Sequence, residues 1–260
     1  MCKCLGIARS TYYYEVKGRF EDKKTIQKVL EAFYSNRKIY GCRKIKAVLQ
    51  KEEIVVSKRR ICRIMKQNNL ESAYSKSRYK VHKSGCNEAP IANELNRQFD
   101  GQEQYAVVVS DLTYVRVNHK WNYICILLDL FNREIIGFSA GANKDAKLVY
   151  DAFAAVKTNL SSIQMFHTDR GKEFSNQMID DVMETFDIKR SLSLKGCPYD
   201  NAVAESTFKI FKAEFVYGRI FESLDRLRTE LADYIHWFNM IRIHSSLGYL
   251  SPAQFKAKTL

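Results

Sequence analysis

The sequence predicts an α/β protein in two parts: a small all-α basic module, then a larger domain built on a mixed five-stranded sheet with helices on both faces. Three observations predict it. Helical apolar patterns fill the opening segment, the hydrophobic period changes from helical to alternating after residue 104, and beyond that point a three-stranded meander gives way to alternating helices and strands. A meander followed by such alternation needs apolar cover on both sides of its sheet.

The 260 residues suffice for one large or two modest domains. The ratio of 46% hydrophobic to 27% charged residues excludes a largely disordered chain. No charged-then-apolar leader opens the sequence and no apolar run approaches a membrane span, so a cytoplasmic protein is expected. Seven Cys and five His include no CxxC and no HxxxH, which argues against zinc and for reduced, packed thiols. The net charge of +13 is unevenly placed: residues 1–100 hold 23 Lys and Arg against 10 Asp and Glu, and the rest of the chain is balanced at 19 of each sign. An excess confined to one segment is the footprint of a polyanion-binding module.

That module is expected over 1–73. Its helices fall at about 21–35, 41–53 and 57–70, with Ile45, Val48 and Leu49 sharing one face and Ile61, Ile64 and Met65 another. The short link "IVV" between the last two fits a helix-turn-helix, and Ser57 is a suitable N-cap for the third helix. Lys58, Arg59 and Arg60 then occupy its first turn, where the helix dipole disfavours cations. Contact with DNA would account for that placement, because the start of a recognition helix commonly enters the major groove. A solvated basic face is the plainer reading. Residues 74–104, polar and basic with Gly85 and Pro90, read as a linker holding one short amphipathic stretch at 91–99.

The sheet domain is expected over 105–260. Strands at 105–117, 121–131 and 134–141 are rich in β-branched residues, with "NHK" as the first turn. A helix at 145–160, a strand at 163–168, a helix at 176–187 and a strand at 188–194 follow, and two long helices at 201–217 and about 222–242 finish the chain.

With no readable His or Cys pairing and no Gly-rich phosphate loop, carboxylates are the candidates for chemistry. Asp111 interrupts an apolar strand after "VVVS", and Asp169 ends a strand in "FHTDRG". Taken alone, Asp169 reads equally well as a turn-capping residue. Glu205 follows "GCPYDNAVA", in which Asp200 or Asn201 would cap a helix anchored by Ala204, Phe208, Phe211 and Phe215. Glu205, Lys209 and Lys212 form a second stripe about 100° away. An exposed Glu to Lys pair at i, i+4 would explain that stripe as simply. Three carboxylates brought together would raise one another's pKa, and Mg²⁺ or Mn²⁺ would relieve the repulsion. Two such ions about 4 Å apart suit phosphodiester displacement. Asp129, in an apolar strand beside the first, reads as a structural or supporting carboxylate.

The motifs "SDLTYV", "LLDLFNREIIGF", "HTDRG", "YDNAVAES" and "WFNMIRIHSSLGYLSP" resemble the OrfB transposases of the insertion-sequence-three family, relatives of retroviral integrases. "YGCRKIKAVLQKEEIVVSKRRICRIM" resembles the helix-turn-helix that precedes their core, and the 35 residues between Asp169 and Glu205 match the family's separation. The resemblance implies an RNase H-like core in which Asp111, Asp169 and Glu205 are the catalytic DDE residues and hold two Mg²⁺ or Mn²⁺ ions. It implies that Lys209 and Lys212 approach the DNA end, and that Arg43, Lys44, Lys58, Arg59 and Arg60 contact DNA. It also implies cleavage at the element's ends followed by 3′-hydroxyl attack on another phosphodiester. The partners implied are terminal inverted repeats, target DNA, an OrfA protein or fused OrfA portion, and further copies of the chain on DNA in the bacterial nucleoid.

Val108 stands where the family often has Trp, "YGCRK" replaces "YGYRR", and neither a heptad zipper nor the zinc ligands of retroviral integrases are present. Two other readings compete: a catalytically inactive, transposase-derived DNA-binding protein, and a nuclease acting on RNA paired with DNA.

Overall fold

A computed structural model of the chain describes residues 2–14, 22–75, 93–95, 98–99, 101–193 and 202–259. These divide into two compact units, Met1–Ser72 and Ala73–Leu260.

Among its described residues the first unit contains a single turn, α1 (Arg9–Tyr12), and three helices, α2 (Lys23–Tyr34), α3 (Cys42–Lys51) and α4 (Lys58–Gln67). Asp22 caps α2 by accepting from the Thr25 N–H at 2.7 Å, and Ser57 caps α4 by accepting from the Arg60 N–H at 3.2 Å. Their apolar stripes meet in a core of Val29, Phe33, Ile45, Leu49, Ile61 and Ile64, all buried. α3 and α4 fall where the helical period places them, and Ser57 has the capping role expected of it.

The second unit is built on strands β1 (Val107–Val117), β2 (Lys120–Asp129), β3 (Ile135–Gly141), β4 (Met165–Thr168) and β5 (Lys189–Leu192), in the spatial order β3-β2-β1-β4-β5. β1, β2 and β3 form an antiparallel meander, while β4 pairs parallel to β1 and β5 parallel to β4. Asn118 and His119, with φ of 44° and 63°, make the tight β1–β2 turn, in which both central residues take left-handed backbone. With its helices this is the mixed α/β, RNase H-like fold.

Helices α5 (Ala146–Ala154) and α6 (Gln177–Thr185) cover one face. There Val108, Leu127, Phe153, Phe166, Phe174 and Ile179 form a continuous buried core. Gly137 permits the closest approach: a Cβ there would lie 2.4 Å from the Ala152 carbonyl oxygen of α5. The other face carries α7 (Ala202–Phe211), packed on β1, and α8 (Leu224–Met240), packed on β3, before the terminal α9 (Pro252–Thr259).

The periodicity reading, which ends the chain with two long helices, omits α9, and two other helices differ from it. α5 stops at Ala154, and Asn159 caps a separate short turn at Leu160–Ser162 by accepting from the Ser161 N–H at 3.0 Å. This side chain competes with the helical ladder for backbone donors. α7 widens after Phe211 into a π turn over Lys212–Val216. That turn stacks Phe211 on Phe215, with ring centroids 5.3 Å apart. The expected cap at Asp200 or Asn201, and most of the stretch read as a linker, lie outside the described residues. Within that stretch Leu95 is buried, and the Ser191 hydroxyl of β5 accepts from the N–H groups of Glu94 and Leu95.

Asp129 ends β2, fully buried, accepting from the Phe131 N–H at 3.1 Å and the Tyr105 N–H at 3.2 Å. Burial pushes its pKa from 3.8 to about 6 against the pull of those two donors. A carboxyl that binds its proton more tightly in the fold stabilises fully below its unfolded pKa and loses that contribution as pH rises through the folded one. Relative to wild type, Asp129→Asn is therefore expected to gain stability between about pH 4 and 6, by up to about 3 kcal/mol. Urea midpoints followed by tryptophan fluorescence at pH 4.5 and 7.5 check this; a gap that does not change with pH would count against it.

Candidate active site

Asp111 lies on β1 opposite Ile126 of β2, beyond the last β1–β4 pair, Val109 with His167. Val108 and Leu112 point into the α5–α6 core. Alternation therefore puts Asp111, with Val109 and Thr113, on the α7 side. Extending the parallel register by two residues brings Asp169, just past β4, level with Asp111. Glu205 stands in the first turn of α7, the helix packed on β1. Three elements thus deliver three carboxylates to one end of the parallel strand pair.

Their electrostatics reflect that convergence. Asp111 is held up at about pKa 7, first by burial and then by the charge of Asp169, with Glu205 adding to the effect. The N–H of Leu112, donating to Asp111 Oδ1 at 2.7 Å, and the Lys212 ammonium work in the opposite direction. Asp169 is raised as well, chiefly by desolvation of its carboxylate, although its side chain opens to solvent on one side. Its Oδ1 accepts from the Gly171 N–H at 3.0 Å, so it also has the turn-capping role. Glu205 is partly exposed and sits 3.8 Å from the Lys209 ammonium, so the i, i+4 pair is present too.

Sequence reasoning missed a second layer. Glu173, with its side chain 7% exposed, pairs with Lys144 at 2.9 Å. Burial opposes the Lys144 charge, but the Glu173 hydrogen bond and the charges of Glu173, Asp169 and Asp111 outweigh it and raise its pKa. Gly171 leaves room for that carboxylate: a Cβ would fall 2.4 Å from a Glu173 carboxylate oxygen, so the Glu173 side chain would have to shift. The His167 of "HTDRG" is buried, with Nδ1 2.8 Å from the Ser191 hydroxyl and Nε2 3.2 Å from that of Ser193, so it ties β4 to β5. A Lys in a loop after β3 carries no local signal of this role, since the carboxylate it pairs with, Glu173, comes 29 residues further along the chain.

As a donor set, three hard carboxylates, two of which, Asp111 and Asp169, have proton affinities raised by burial and neighbouring charge, suit a divalent cation. Among the described residues, no three His, Cys, Asp or Glu side chains stand close enough together to form a ligand cluster as they are now arranged.

In the helical unit, Arg43, Lys58 and Arg59 are exposed in the first turns of α3 and α4. Lys44 and Arg60 have internal partners. The Lys44 ammonium lies 4.9 Å from the Tyr40 ring centroid. The Arg60 guanidinium meets Asp22 at 2.6 Å, and Asp22 is drawn down to about pKa 2 by Thr25 first and then by Arg60.

Family comparisons match the whole architecture. Residues 20–78 match an HTH-like domain, and residues 101–198 and 205–260 each match an integrase core domain. The insertion element IS600 uncharacterized 31 kDa protein of Shigella sonnei is 30% identical over 267 residues, covering 99% of this chain and 98% of that protein. The transposase InsF for insertion sequence IS3A of Escherichia coli is 28% identical, covering 100% of this chain and 94% of its own length. The transposase for insertion sequence element IS904 of Lactococcus lactis is 28% identical over 92% of this chain and 96% of that one. Among solved structures, the HTLV-2 integrase catalytic core domain in complex with magnesium is 15% identical with a TM-score of 0.42, over 60% of this chain and 98% of that one.

Proposed function

Because the chain belongs to the insertion-sequence-three transposases, with an HTH-like domain ahead of an integrase core, we propose that it cleaves DNA at its element's ends and joins them to a new site. The observation that carries the chemistry is the convergence of Asp111, Asp169 and Glu205, with Asp111 held at about pKa 7 by burial and by Asp169.

On this reading those three carboxylates would hold two Mg²⁺ or Mn²⁺ ions, which when bound activate an attacking oxygen and stabilise a departing one. Asp111, fixed by the Leu112 N–H, and Asp169, fixed by the Gly171 N–H, present preset oxygens. Lys209 and Lys212 hold the phosphates of the DNA end beside them. Water first displaces the 3′-oxygen from the phosphodiester at the element end. The freed 3′-hydroxyl then attacks a target phosphodiester, exchanging one P–O bond for another without an external energy source.

Residues 1–73 serve as the DNA-binding module, 74–104 as the linker and 105–260 as the catalytic core. The partners are the terminal repeats, target DNA, an OrfA protein and further copies of the chain, acting at the bacterial nucleoid. Among the described residues no helix is long and apolar enough to cross a membrane. The test is the purified chain with OrfA, Mn²⁺ and a labelled duplex of the element's ends. Joined product is expected, and bound but uncut DNA would favour the inactive DNA-binding reading instead.

The exposed first turn of α4 gives a separate test. Lys58→Ala with Arg59→Ala is expected to weaken binding to all duplexes alike and to reduce the salt slope of log K by about 2, near one unit per lost phosphate contact. Fluorescence anisotropy over a salt series measures this; an unchanged slope would make the pair a solvated face.

A further inference from the structure

Past Asp111, β1 continues to Val117, and among the described residues no strand pairs with it on the side where β4 ended, until Val117 bridges Phe221. There the Phe221 N–H donates to the Arg116 carbonyl at 3.0 Å, and the Asn118 N–H donates to the Phe221 carbonyl at 2.8 Å. Peptide groups of a strand alternate between its two edges, so the N–H and C=O of Tyr114 face this same edge.

Between that edge and the turn after α7 lies a pocket of about 240 Å³ whose walls include Thr113, Tyr114, Arg116, Trp121, Lys212 and Tyr217. Tyr114 and Trp121 are 51% and 49% exposed and meet edge to face, with centroids 4.9 Å apart. The Arg116 guanidinium lies 4.0 Å over the Trp121 ring, and the Lys212 ammonium is 6.0 Å from the Tyr114 ring. Thr113, which faces α7, is 2% exposed, and its hydroxyl is closed off from solvent.

Half-exposed rings interleaved with cations, beside a strand edge offering both a donor and an acceptor, are the elements with which proteins hold unstacked nucleobases. Lys212 belongs to this pocket and also bears on Asp111, so the pocket adjoins the carboxylate site. An apolar protein partner would not call for two cations in so small a space.

We propose that this pocket receives one nucleobase, swung out of the DNA end next to the scissile phosphate, stacked on Trp121 and Tyr114 with its polar edge toward the Tyr114 peptide. The proposal rests on the DNA-cleaving reading above and adds a base-holding site to it. Extruding one base would fix the register of the strand about to be cut and keep the end unpaired during transfer.

The test is a cycle of affinities for the full chain, without added divalent cation so that nothing is cut. The probes are a duplex of the element's own end and a set of duplexes with one abasic site moved through the positions flanking the cleavage point. Wild type is expected to lose on the order of tenfold in affinity at one position only. Trp121→Ala should bind intact DNA about tenfold more weakly and be indifferent to the abasic site at that position, with Trp121→Phe restoring most of the preference. Additive losses, with no position coupled to Trp121, would overturn the pocket while leaving the DNA reading in place. A change of oligomeric state in Trp121→Ala, seen by sedimentation with DNA affinity intact, would make the patch a protein interface and also overturn it. Failure of wild type to bind the end at all would remove the parent reading, and this one with it.

Discussion

Asp169→Asn is expected to abolish divalent-dependent strand cleavage, by about 10³-fold or more, while leaving the fold and the affinity for DNA in place. Asn keeps the size of the side chain and an oxygen able to accept from the Gly171 N–H, so the turn after β4 should keep its shape. What it removes is the charge that helps to raise Asp111 and that would hold a cation. Losing a cation's stabilisation of developing charge costs several kcal/mol, and each 1.36 kcal/mol is tenfold in rate. The substitution should also let Asp111 titrate below its present value of about 7, because one of the two leading causes of that value is gone. Cleavage assays with Mg²⁺ and Mn²⁺, run beside thermal melts and anisotropy, check all three statements. A correctly folded variant that still cuts at the wild-type rate would remove Asp169 from the chemistry, and with it the assignment of the carboxylate set.

Much of this site could be read in the chain because its signals are local. Asp111 breaks an apolar strand, Asp169 follows one, and Glu205 heads a helix whose apolar stripe fixes its rotation. The alternation of β1 and the helical period of α7 each set the side-chain direction without reference to the rest of the fold. The competing plain readings also have their counterparts: Asp169 caps its turn and Glu205 pairs with Lys209. The two kinds of role coexist. Features that depend on residues distant in sequence were not legible. Lys144 gains its place only when the loop after β3 meets Glu173, and Arg60 is engaged by Asp22 only once α2 and α4 pack. The π turn was hidden for another reason. Period alone extends a helix through Lys212–Val216, whereas the stacking of Phe211 on Phe215 accompanies a wider turn.

That π turn carries Glu214, and the second large effect is expected there. Glu214 and Arg242 form an ion pair at 2.7 Å, with side chains 0% and 2% exposed. The Arg242 Nε donates to both Glu214 oxygens at 3.0 and 2.8 Å, Tyr234 donates to Oε2 at 2.8 Å, and Tyr74 also bonds the carboxylate. The guanidinium reaches the Tyr74 hydroxyl at 3.0 Å and lies 5.1 Å from the Phe238 ring centroid. Against a well-packed apolar pair such a network adds little net stability, but removing one partner leaves a buried charge unmatched, at about 3–5 kcal/mol. Arg242→Ala should therefore lower the stability of the second unit by about that amount. Tryptophan fluorescence isolates that unit, because both tryptophans of the chain, Trp121 and Trp237, lie within it. Replacing both charges, Glu214→Gln with Arg242→Met, should recover a large part of the loss, since neither side chain then carries an unmatched charge. The link to function is mechanical. Glu214 lies in the turn that continues α7, the helix carrying Glu205, and the pair ties that turn to Arg242, two residues past the end of α8. Arg242→Ala is accordingly expected to lower cleavage even at temperatures where the unit remains folded, and the double replacement to restore it in part. A loss of less than about 1 kcal/mol in Arg242→Ala would mean that water reaches the freed carboxylate, and that the pair does not fix the helix.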